Sequence, residues 1–115
     1  MSKMLLHMEG LAVLVMSICF YAYFDFSWIL FFILLFTPDL SMFGYAVNTR
    51  IGAIIYNVFH SYIVPIVIIL LALLIMYSVL LAIGIIWIAH IGMDRMLGYG
   101  LKYPTDFKDT HLQRV

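Results

Sequence analysis

His90 and Asp94 stand four residues apart at the end of a long uncharged run, so on a helix they share one face. An imidazole and a carboxylate at that spacing can grip one cation together. Asn57 and His60 form a second pair, three apart, with Tyr56 stacked one turn below His60. Asp39 follows Pro38, and Glu9 follows His7 near the start of the chain. Two histidines with one to three carboxylates (Asp39, Asp94 and Glu9) suit Zn²⁺, or Mn²⁺ or Fe²⁺ if more oxygens join. A divalent cation held there would offset the cost of burying the carboxylates and could activate water towards a phosphoester. Arg95 and Lys102 are placed to hold a phosphate by charge-assisted hydrogen bonds.

These groups sit in a chain that is otherwise apolar. Of 115 residues, 66% are hydrophobic and 10% charged, far from the balance of a soluble domain. So small a chain cannot hide that much apolar surface from water, which points to lipid as its solvent. Net charge is zero, so a nucleic-acid partner is excluded. A single cysteine, Cys19, gives no disulfide framework. The first apolar run contains His7 and Glu9, unlike a cleaved leader.

The elements that must position the polar groups follow from the apolar runs. Leu5–Phe24 is about one bilayer thickness as a helix. Asp25 then makes a turn, and a second run is cut by Pro38-Asp39. Between Ile51 and Met93 no Asp, Glu, Lys or Arg occurs, which is about two spans' worth of chain. A turn is expected there near Ile75–Ser78. The expectation is an all-α, four-helix integral membrane bundle forming one domain. Its helices fall at about 5–24, 27–44, 49–74 and 77–98, with a polar tail over 102–115. Lys3, Arg50, Arg95, Lys102, Lys108 and Arg114 all fall on one side of that topology, so both termini are expected in the cytoplasm. His7, Glu9, Asp39, His60, His90 and Asp94 then gather at the cytoplasmic end. Ionisable groups at membrane depth are costly and mark functional sites.

Four segments, "LLHMEGLAVL", "TPDLSMFGY", "YNVFHSYIVP" and "HIGMDRMLGYGLKYP", cover nearly the whole chain. On them the chain resembles a family of small bacterial integral membrane proteins catalogued as domain of unknown function 4260. That resemblance implies a four-helix membrane protein without an assigned activity. A second, more distant resemblance is to bacterial inner-membrane metal-dependent hydrolases related to zinc-dependent phospholipases C. It rests on Pro38-Asp39, then His60, then His90-x-x-x-Asp94 in that order. Ser41 stands where that pattern often has a second acidic residue, and no second histidine follows His60 closely. Those departures point to one metal rather than two.

Two functions of different class are therefore expected. The first is a multi-pass inner-membrane hydrolase of a lipid or amphiphilic phosphoester. It would have Asp39, His60, His90 and Asp94 as ligands to a divalent metal (zinc first), Glu9 as further ligand or general base, and Arg95 and Lys102 on the phosphate. The second is a non-enzymatic accessory subunit or small-molecule binder with a structural polar core. Membrane lipid is the expected partner of either. Gly52, Gly84 and nearby alanines suit close helix contacts within the chain, in a homo-oligomer or with another membrane protein. An ion path needs polar groups at several depths, and the other half of the chain has few. His7 is expected at the interface, and Gly98, Gly100 and Pro104 at the end of the last helix.

Overall fold

A computed structural model describes residues 2–39, 46–101, 110 and 112. The architecture is all-helical. Helix α1 covers Ser2–Tyr23, α2 Trp28–Leu34, α3 Thr49–His60, α4 Ile63–Ile75 and α5 Ser78–Leu97. Helices α3 and α4 are one helical run broken at Ser61 and Tyr62, so these five helices make four helical segments among the described residues. Three of them are long and apolar enough to cross a membrane: α1, the 49–75 run and α5. Helix α2 is not. Its seven residues rise only about 10 Å, and the chain continues through a 3₁₀ turn over residues 37–39. The rest of the helix expected over 27–44 lies outside the described residues.

Local chemistry sets the ends. Ser27 Oγ accepts from the Leu30 N–H at the start of α2, and Asn48 Oδ1 accepts from the Ile51 N–H at 2.8 Å at the start of α3. Met76, in the left-handed conformation, closes α4, and the chain reverses through Tyr77 into α5. Gly98, at φ 98°, closes α5, with its own N–H on Arg95 O and the Tyr99 N–H on Asp94 O at 2.7 Å. The break before α4 has a cause in Pro65. Proline lacks an N–H and is tolerated only in a first turn, where that donor would have no partner anyway.

Helix α5 is the axis of the fold, and more of it is buried than of either other candidate span. Helix α1 lies against it so closely that side chains are excluded. A Cβ on Gly10 would come within 2.5 Å of Arg95 Cβ and of Met96 N, and a Cβ on Gly92 within 2.9 Å of Gly10 O and Leu14 N. The two backbones touch as in small-residue membrane crossings. Helix α4 approaches α5 in the same way at Gly84, where a Cβ would meet Ile69 at 2.6 Å. Large apolar side chains such as Ile29, Ile33, Leu74 and Met76 point outward, as lipid-facing residues do.

Candidate metal centre

Asp39, His60, His90 and Asp94 come together in one group, each offering one ligand atom, all within 4.8 Å of one another. They arrive from the 3₁₀ turn after α2, the end of α3 and two turns of α5. His60 Nε2 lies 3.1 Å from His90 Nε2, 3.2 Å from Asp39 Oδ1 and 3.4 Å from Asp94 Oδ2. His90 Nε2 lies 3.2 Å from each of those carboxylate oxygens. Ligands at about 2.0–2.1 Å from a tetrahedral metal sit about 3.3–3.4 Å from each other, so these five separations are close to those around a zinc ion. Both histidines are fully buried and Asp94 nearly so, while the Asp39 side chain is 39% exposed. The centre therefore opens on the Asp39 side.

Hydrogen bonding orients the ligands. His60 Nδ1 lies 2.9 Å from Tyr56 O, a carbonyl that only accepts, so Nδ1 carries the proton and donates. In a neutral ring the Nε2 lone pair then faces inward. That is the arrangement in which an outer carbonyl sets the tautomer of a metal-binding histidine. With neutral rings, His90 can bring at most one proton to a cluster of two nitrogens and two carboxylate oxygens. A cation resolves that crowding of lone pairs. His90 Nδ1 is buried and without a hydrogen-bond partner among the described residues, so His90 has no outer carbonyl like that of His60. Tyr56 stacks flat on His60, with ring centroids 3.7 Å apart and planes 6° apart.

The break between α3 and α4 makes this possible. A helix end leaves its last carbonyls without partners, which is expensive in a membrane. Here side chains supply donors. Ser61 Oγ donates to Val58 O, Trp87 Nε1 to Phe59 O at 2.7 Å, and Arg95 Nη2 to His60 O at 2.8 Å. Trp87 also stacks on Phe59. Two residues of α5 thus pin the end of α3 against the face that carries His90 and Asp94. The negative end of the α3 dipole adds to the pull on a cation.

The other expected residues lie outside the group. Arg95 is 8% exposed and donates to His60 O and Tyr99 O, and it lines a cavity beside the centre. Glu9 lines the same cavity and is not one of the four donors. Lys102, Ser41 and Pro104 lie outside the described residues. Asn57 is half-buried. His7 reaches back to α5, with Nδ1 2.8 Å from Met96 O. The periodicity of the sequence did not show the α3–α4 break or the work of Trp87 and Arg95 on backbone carbonyls. Pro65 was the available signal for the first. No local signal marks the second.

Residues 3–115 match the model of the family described as Domain of unknown function (DUF4260). The chain belongs to this family. No curated protein and no solved structure matches it, so the likeness to membrane hydrolases has no support beyond its short motifs.

Proposed function

We propose that this is an inner-membrane protein that binds one divalent cation, zinc by best fit, through Asp39, His60, His90 and Asp94. We further propose that this centre hydrolyses an amphiphilic phosphoester at the cytoplasmic face. The observation that carries the reading is the cage itself: four donor atoms within 4.8 Å, from three separate elements. A divalent cation supplies Lewis-acid polarisation of a phosphoryl oxygen. In the reaction the oxygen of water adds to phosphorus, the ester P–O bond breaks, and the departing alcohol oxygen takes up a proton. Arg95, with Lys102, is assigned to the phosphate. Glu9 shares Arg95's cavity, so it is assigned to the substrate rather than to the metal.

A second reading has its own support. Four protein donors match the ligand count of structural zinc sites, whereas catalytic ones keep a position open. On this reading the metal is a clasp joining the α2 turn, α3 and α5. Exposure of Asp39 favours the catalytic reading, because that ligand can yield to water or substrate.

Metal analysis of the chain purified in detergent, paired with phospholipid cleavage in mixed micelles, separates the two. Hydrolysis predicts about one metal per chain and cleavage that stops on chelation and resumes on adding zinc. Stoichiometric metal with no cleavage of any phospholipid class leaves the clasp. A folded chain that takes up no metal sinks both.

A further inference from the structure

Beside the centre, a cavity of about 540 Å³ opens between the start of α1, the α3–α4 break and the end of α5. Its walls are mostly apolar, with Leu6, Ala12 and Val13 from α1, and its polar groups include Glu9 and Arg95. Two of the metal-centre residues are each followed directly by a wall residue: His60 by Ser61, and Asp94 by Arg95. The cavity and the centre thus share a partition.

Arg95 sets the problem. It is 92% buried by its 8% exposure, and two of its guanidinium nitrogens donate to backbone carbonyls. Among the described residues no carboxylate oxygen lies within ion-pair distance of it; the only ion pairs there are those of the His–Asp group. A buried cation with no carboxylate in direct contact, and only the charge of Asp94 acting on it from a distance, is costly, most of all at membrane depth. Its guanidinium still has N–H groups to offer, since it carries five donors in a fork shaped for phosphate. Glu9 brings the opposite charge to the same cavity without pairing with Arg95.

We infer that this cavity holds the headgroup of a zwitterionic phospholipid, its phosphate on Arg95, its ammonium on Glu9 and its first chain carbons along the α1 wall. Apolar walls with two separated opposite charges fit such a headgroup better than free phosphate, which would leave Glu9 repelled and the wall bare. The volume is that of an ordinary small-molecule site. The inference depends on the proposed hydrolysis only for what happens to the lipid after it binds.

The test is native mass spectrometry of the full chain in micelles doped with phosphatidylethanolamine, phosphatidylglycerol or inorganic phosphate. One phosphatidylethanolamine should remain bound per chain, and phosphatidylglycerol should bind more weakly. Arg95→Gln should weaken retention about tenfold or more, the worth of a charge-assisted hydrogen bond. Because that change also loosens the tie to His60 O, Ala12→Trp serves as the second variant. It fills the cavity from α1, leaves Arg95 in place and should also abolish retention. Glu9→Gln should remove the preference for phosphatidylethanolamine. His90→Ala should keep the lipid while losing metal, which separates this inference from the metal reading. Retention untouched by both Arg95→Gln and Ala12→Trp overturns it. So does inorganic phosphate binding while no lipid is retained.

Discussion

The two ends of the α1–α5 pair are built on different principles. At one end Tyr21, Phe31 and Trp28 lie ring against ring, with centroids 5.0–5.2 Å apart. The Tyr21 hydroxyl donates to Ser27 O. Nothing charged takes part. At the other end two histidines, an aspartate and an arginine are buried among helix ends, with a second aspartate half-buried beside them. Lipid is as apolar as a leucine side chain, so the aromatic end gains from packing and shape but little from leaving its solvent. The polar end gains a great deal from mutual satisfaction and loses a great deal if one partner is missing. The first end can tolerate imprecision; the second cannot.

That contrast can be broken in four graded ways. Gly10→Val should do most, because its Cβ meets backbone at 2.5 Å and neither helix can yield. Both ends should fail together, with a loss of about 3 kcal/mol or more, read as early thermal unfolding in detergent along with lost metal binding. His90→Ala with Asp94→Ala should split the ends. Metal affinity should fall more than the about 10–100-fold typical of losing an outer partner, while the near-UV circular dichroism of the Tyr21 cluster stays unchanged. Phe31→Ala should do the converse. Stability should drop by about 1–3 kcal/mol, less than the about 3–5 of a soluble core, because lipid resolvates the gap; metal titration should match the wild type. Tyr21→Phe should be smallest, about 1 kcal/mol for one hydrogen bond, again with unchanged metal affinity.

Parts of this were readable in advance. His90 and Asp94 sit one helical turn apart, so their common face needed only helical periodicity. The break in charge between Ile51 and Met93 required a reversal, and Met76 makes it in the left-handed conformation. The seam at Gly10 and Gly92 was not readable. A glycine in an apolar helix looks the same whether lipid or another backbone lies opposite. The length of the second helix was not readable either, since Pro38 could mark a kink or an end. Arg95 read as a phosphate ligand at the cytoplasmic end of the last helix. Its partners, His60 O and Tyr99 O, are backbone atoms and leave no residue-type signature.

The sequence by itself determined the medium and the menu. Its apolar runs make helices suited to lipid, and its few ionisable residues fall near helix ends, because burial of such groups is affordable only where partners exist. Only the tertiary structure decided that Asp39 and His60, 21 residues apart, meet His90, 30 residues beyond His60, within 3.2 Å. It also decided which nitrogen of His60 faces inward. Those outcomes depend on a helix broken at Ser61 and tied by Trp87 and Arg95. Contacts between distant chain segments follow from packing and directional hydrogen bonds, which local periodicity does not carry.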